Sequence, residues 1–141
     1  MKHVLVVEDD LMNARLFETV LRRLGGFDVR VTEDPGEILN LVRSGMVDLV
    51  VMDISLKGAT YEGEDIDGVG LTQLIKQDER TSHIPVLLAT AHAMHGDRKT
   101  LLAESGAEDY ISKPIVDHRL FIEKVNSLMP GQAATQVHRP G

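Results

Sequence analysis

Cysteine is absent, so disulfides, thiolate catalysis and cysteine-based zinc sites are all excluded. Tryptophan is absent too, and two tyrosines and three phenylalanines make up the whole aromatic stock. Little is therefore available for stacking nucleic-acid bases. Positive charge is scarce: 15 Lys and Arg stand against 22 Asp and Glu, a formal net charge of −7. No basic run exceeds Arg22-Arg23, so the electrostatic footprint of a nucleic-acid or anionic-membrane surface is missing. No apolar run approaches the roughly 20 residues that a bilayer-spanning helix needs. The stretch after Met1-Lys2-His3 is too short for a signal-peptide core. These absences lead us to expect a cytoplasmic protein that engages neither nucleic acid nor membrane directly.

What is present suits one compact unit. A chain of 141 residues, 43% hydrophobic and 26% charged, fits a single domain with one core. Strand-like runs alternate with helix-like ones. His3 to Val7, Asp28 to Thr32, Asp48 to Met52, Pro85 to Ala89 and Glu108 to Ile111 are apolar or β-branched. Between them lie periodic stretches over 10–24, 35–44, 69–78 and 94–104, and a last one over 117–128. In the first, Met12, Leu16, Phe17, Val20, Leu21 and Leu24 form the expected inward stripe. In the last, Leu120, Phe121, Val125 and Leu128 do so. Asp10 is a plausible N-cap, and Pro35 is placed early in its helix, where proline is tolerated. The 48–52 run is almost wholly apolar, which implies burial on both faces and a central position. Five βα units predict a parallel sheet with helices on both faces. Residues 1–129 read as the domain and 130–141 as a flexible tail.

Three of the runs end in polar groups: Glu8-Asp9-Asp10, Asp53-Ile-Ser55 and Lys113-Pro114. In an open parallel sheet the carboxyl ends of the strands share one edge, where ligands bind. That edge would gather four carboxylates and one ammonium. Such acids repel one another unless a lysine and a hard divalent cation neutralise them.

With Thr90-Ala91 after the fourth strand, the set Glu8-Asp9, Asp53, Thr90-Ala91 and Lys113-Pro114 resembles the receiver domain of two-component response regulators, over about residues 2–129. Met52-Asp53-Ile54, Thr90-Ala91-His92-Ala93-Met94 and Tyr110-Ile111-Ser112-Lys113-Pro114-Ile115 look most like the DivK type. The resemblance implies a flavodoxin-like, doubly wound five-stranded parallel sheet of order 2-1-3-4-5 with five helices. It implies Asp53 as phosphoacceptor, and Mg²⁺ (with Mn²⁺ as a substitute) held by Glu8, Asp9, Asp53 and the Ser55 carbonyl, with no organic cofactor. Lys113, its ammonium aimed inward by a cis bond to Pro114, would pair with Asp53 and the phosphoryl oxygens. Thr90 and Tyr110 would form the switch, and Ser55 and His92 would tune phosphoryl lifetime. A histidine kinase or histidine phosphotransfer protein would be the donor. An unnamed downstream protein would read the face made of the fourth helix, fifth strand and fifth helix, or the phosphoryl group would be relayed onward. The expected role is a stand-alone switch that dephosphorylates itself, not a turnover enzyme.

Two alternatives stand beside this reading. An aspartyl-phosphate phosphatase would carry a second Asp two residues after the nucleophile, where Ser55 stands. A pure interaction module would have no need of the full set Glu8, Asp9, Asp53, Thr90 and Lys113. Asp10 is better read as a helix cap than as a further ligand. His92 and His95 are three apart on a helix but lack an accompanying carboxylate, and His83 and His118 read as surface residues. The departure from the family lies after Ser55: Lys57 stands where receivers carry proline, and Asp67-Gly68 comes about seven residues late. The resulting loop, 57–67, carries Gly58, Gly63, Glu62, Glu64 and Asp65. Loops this long beside a site are often functional.

Overall fold

The computed structural model describes residues 1–91 and 97–130. Five strands form one parallel sheet: β1 (His3–Val7), β2 (Asp28–Thr32), β3 (Leu49–Asp53), β6 (Val86–Thr90) and β7 (Asp109–Ser112), in the order β2-β1-β3-β6-β7. This is the expected 2-1-3-4-5 arrangement. Between β3 and β6 the chain adds β4 (Thr60–Tyr61) and β5 (Glu64–Asp65), which pair with each other in a separate two-stranded sheet. The helices are α1 (Leu11–Arg23), α2 (Pro35–Arg43), α3 (Gly68–Gln77), α4 (Asp97–Ser105) and α5 (His118–Leu128).

Alternation along each strand builds two cores. Val4, Val6, Leu49, Val51, Leu87 and Ala89 face one way and pack with Phe17 and Leu21 of α1 and Phe121 and Val125 of α5. Phe17 and Phe121 meet there, with ring centroids 5.5 Å apart. Leu5, Val7, Val50, Met52, Val86 and Leu88 face the other way, against Ile38 and Leu39 of α2 and Leu71 and Ile75 of α3. Every residue of β3 is buried, Leu49 to Met52 as their apolar side chains require and Asp53 with them at the strand's end.

The inward stripes need correction. Met12 is 80% exposed and Leu24 60%. Met12 lies about 140° around the helix from Phe17, and Leu24 is the C-cap beyond the last turn, so Ala14, Phe17, Val20 and Leu21 form the true stripe. In α5, Leu120 is 45% exposed while Phe121, Ile122 and Val125 are buried. The predicted start of α4 at Met94 lies outside the described residues, as does the tail from 131 onward.

The long loop is not irregular. Tyr61 pairs with Glu64, and the two residues between them, Glu62 (φ 53) and Gly63 (φ 83), both take the left-handed conformation of a type I′ hairpin turn. The Ile66 N–H extends the ladder to the Ala59 carbonyl at 3.1 Å. Ala59, Tyr61 and Ile66 pack against the α2/α3 core, which takes the hairpin down onto the domain. Gly68 then opens α3 so close to β3 that an added Cβ would stand 2.0 Å from the Asp53 carbonyl oxygen. Only a residue without a side chain fits there.

Candidate phosphoacceptor site

The strand order reverses at β1: its chain neighbour β2 lies on one side and β3 on the other. A crevice opens at such a point beyond the carboxyl ends of the strands. Glu8 and Asp9 follow β1, Asp53 ends β3, Thr90 ends β6 and Lys113 follows β7. Glu8, Asp9 and Asp53 each offer a carboxylate oxygen, and these three atoms all lie within 4.8 Å of one another. An open cleft of about 380 Å³ above them is lined also by Asp10, Ser55, Lys57 and Lys113.

Burial and pairing differ among the acids. The Glu8 and Asp53 side chains are almost wholly buried, and Lys113 bridges them: its Nζ donates to Asp53 Oδ1 at 2.9 Å and to Glu8 Oε1 at 3.1 Å. Asp53 Oδ1 also accepts from the Ser55 N–H at 3.2 Å, and Glu8 Oε2 from the Asp10 N–H at 3.2 Å. Asp9 is half-buried and its Oδ2 accepts from the Lys57 N–H at 3.0 Å. Burial pushes the Glu8 carboxyl up to about 7, against the pull of the Asp10 N–H and of Lys113, and the neighbouring Asp53 adds to the rise. Burial on its own would lower the Lys113 ammonium, but its bonds to Asp53 and Glu8 more than offset this and raise it. Lys113 is thus charged at neutral pH. Its main-chain N–H donates to the Thr90 carbonyl at 2.8 Å, tying it to the end of β6, and its bond to Pro114 is cis as expected.

Three clustered carboxylates with one ammonium shared between two of them make an excess of negative charge around hard oxygen donors. That donor set fits Mg²⁺, which takes oxygen ligands and keeps several waters.

A family model for the response regulator receiver domain matches residues 4–126. The chain belongs to this family. The receiver is 38% identical over 128 residues to the polar-differentiation response regulator DivK of Brucella ovis, covering 91% of this chain and 96% of that protein. Among solved structures, a response regulator from Chloroflexus aurantiacus is similar with a TM-score of 0.74 at 30% identity, over 90% of this chain and 97% of that one. The receiver domain of a sensor histidine kinase from Pseudomonas aeruginosa, solved with a magnesium ion coordinated in its active site cleft, gives 0.72 at 26% identity, over the same shares.

The receiver places the other expected residues as follows. Asp10 caps α1, its side chain accepting from the Asn13 N–H, as the capping preference suggests. Thr90 is buried at the end of β6, beside Ser112 of β7. Ser55 is exposed at the cleft. Tyr110 lies on β7, half-buried, with the Arg98 guanidinium 5.4 Å and the Lys124 ammonium 5.9 Å from its ring centre. It lines a different cleft, of about 310 Å³, together with Arg98, Val116, Leu120 and Lys124. His83 and His118 are exposed, as expected. His92 and His95 lie outside the described residues.

Sequence reasoning missed the Lys57 N–H at Asp9, because a main-chain donor leaves no trace in residue type. It also missed the two cations flanking Tyr110.

Proposed function

We propose that the receiver is a phosphoacceptor switch in which Asp53 takes a phosphoryl group from a phosphohistidine of a histidine kinase or histidine phosphotransfer protein. The observation that carries this is the bond from Lys113 Nζ to Asp53 Oδ1 beside two further carboxylates at the sheet edge. In the reaction an Asp53 carboxylate oxygen attacks phosphorus and a new P–O bond forms. The P–N bond to the donor imidazole breaks, and its electron pair returns to the ring nitrogen. Lys113 meets the incoming phosphoryl oxygens as a point charge. Glu8, Asp9, Asp53 and the Ser55 carbonyl would hold Mg²⁺, which when bound neutralises charge on the transferring group. The product is an acyl phosphate. Attack by water on phosphorus breaks its P–O bond to the Asp53 carboxyl and restores the carboxylate, so the switch resets itself.

The buried Thr90 hydroxyl, at the end of the next strand, supplies a donor for the new phosphoryl oxygens. Tyr110 follows as the packing around it changes, a small two-state shift biased by charge-assisted bonds. The α4–β7–α5 face is then the output surface. Support comes from its exposed apolar residues, Val116 at 88% and Leu120 at 45%, beside Arg98 and Lys124. Ser55, at the cleft, tunes the lifetime of the acyl phosphate, with His92 as its counterpart after Thr90.

The test is incubation with Mg²⁺ and a small acyl phosphate donor, followed by intact-mass measurement. A gain of one phosphoryl group that disappears in Asp53→Asn is expected. No gain in the wild type would leave a pure interaction module, and steady phosphate release from many monoesters would indicate a phosphatase.

A further inference from the structure

Asp9 stands apart from the other two acids. Lys113 satisfies Glu8 and Asp53 but does not reach Asp9. Among the described residues, the one hydrogen bond to the Asp9 carboxylate comes from the main-chain N–H of Lys57, at 3.0 Å. A lone carboxylate at a cleft rim would otherwise sample several rotamers, and each would present its oxygens differently to a cation. The N–H occupies Oδ2 and leaves Oδ1 with its lone pairs free for a metal.

The donor itself is held. Leu56, the residue before it, is buried in the α2/α3 core. Gly58, the residue after it, turns the chain with φ 71 into the β4–β5 hairpin. The hairpin closes on itself through Thr60–Asp65 and Tyr61–Glu64 pairing and the Ile66 N–H to the Ala59 carbonyl. Lys57 and Gly58 are thus a two-residue exposed step between a buried anchor and a closed hairpin, and the Lys57 N–H cannot drift from Asp9 without lifting one or the other.

We propose that Lys57 is a positioning residue for cation binding: its main-chain N–H, fixed by the Leu56 anchor and the hairpin, orients the Asp9 carboxylate. This rests on the reading of Glu8, Asp9 and Asp53 as a Mg²⁺ site. Partners that orient a metal ligand in this way commonly affect metal affinity by about 10- to 100-fold when lost. The side chain of Lys57 takes no part in the role, which separates the idea from a simple charge effect.

Proline removes the N–H and alanine keeps it, so the pair Lys57→Pro and Lys57→Ala isolates the donor. Mg²⁺ titrations followed by ¹H–¹⁵N NMR give the dissociation constant of each. Lys57→Pro is expected to bind Mg²⁺ about tenfold more weakly than wild type, while Lys57→Ala stays within about twofold. Equal affinity in Lys57→Pro, or tighter binding, overturns the proposal, as does an equal loss in Lys57→Ala. A second measurement needs no substitution at Lys57: its amide is expected to be protected from hydrogen exchange in wild type and to lose that protection in Asp9→Ala. Unchanged exchange overturns the proposal. Wild type that shows no Mg²⁺-dependent shifts would instead sink the metal reading, and the proposal with it.

Discussion

At the scale of single residues, the site depends on atoms that are close because something small lies beside them. Gly68 is the sharpest case. Its backbone stands against the Asp53 carbonyl, and a Cβ would meet that oxygen at 2.0 Å. Backbone cannot rotate out of the way as a side chain can. Gly68→Ala is therefore expected to destabilise the protein at the upper end of the roughly 1–3 kcal/mol that overpacking costs. It should also displace Asp53 and slow its phosphorylation. Urea unfolding midpoints and acyl phosphate labelling check the two parts. The polar residues gathered at the sheet edge were legible in the sequence for a plain reason. Glu8, Asp53, Thr90 and Lys113 each interrupt or follow a buried run, and a polar group there can be placed only at a strand end. What Asp9 bonds to was not legible, because the donor is main chain and depends on the path of a loop.

At the scale of elements, the strands were readable and one hairpin was not. Strands of five residues with buried patterns leave a signal; strands of two residues leave none. The one trace was Glu62-Gly63, a two-residue step ending in glycine, which suits a type I′ turn. Glu62 is the one non-glycine described residue with positive φ. An ordinary side chain in that conformation costs about 1 kcal/mol or more, which asparagine largely avoids. Glu62→Asn is expected to raise stability by up to about 1 kcal/mol, read as a higher midpoint in thermal unfolding. A lower midpoint would mean that the Glu62 carboxylate makes contacts that outweigh its backbone. Helix faces were legible only in part: the pattern included Met12 and Leu120, which lie about 140° from Phe17 and about 100° from Phe121 around their helices and stay at the surface.

At the scale of the whole molecule, the acid cluster makes stability depend on pH. The Glu8 carboxyl is raised from 4.5 to about 7, first by burial. Below pH 4.5 it is protonated in both folded and unfolded chains, and its favourable contribution is complete. As pH rises from 4.5 to 7 the unfolded chain releases this proton while the folded one keeps it, so stability falls. Above about 7 the whole contribution is lost. Asp78, lowered to about 2 by hydrogen bonds from Arg80, contributes above 3.8 and loses its effect only as pH falls through about 2. Lys113, raised above 10.5, loses its contribution only at higher pH still. Neither titrates between pH 5 and 8. In the presence of a chelator the protein is therefore expected to unfold more easily at pH 8 than at pH 5.5. Bound Mg²⁺ does the proton's work and stabilises by mass action, so added Mg²⁺ should raise the midpoint more at pH 8. Thermal unfolding at the two pH values, with and without Mg²⁺, checks both. A Mg²⁺ effect that is larger at pH 5.5 would contradict the account.

The two cores described above meet at one place in particular. On β7, Tyr110 packs with the layer of α2, α3 and α4, whereas the next residue, Ile111, packs with the layer of α1 and α5. The strand is the last in the sheet, so it works as a seam joining two separately stitched fabrics. The Tyr110 ring is the thread that crosses the seam: it packs with the α2, α3 and α4 layer, while the Lys124 ammonium of α5 lies 5.9 Å from its centre. A partner spanning α4 and α5 would therefore meet a surface whose two halves each hold a cation against this one ring, Arg98 at 5.4 Å and Lys124 at 5.9 Å.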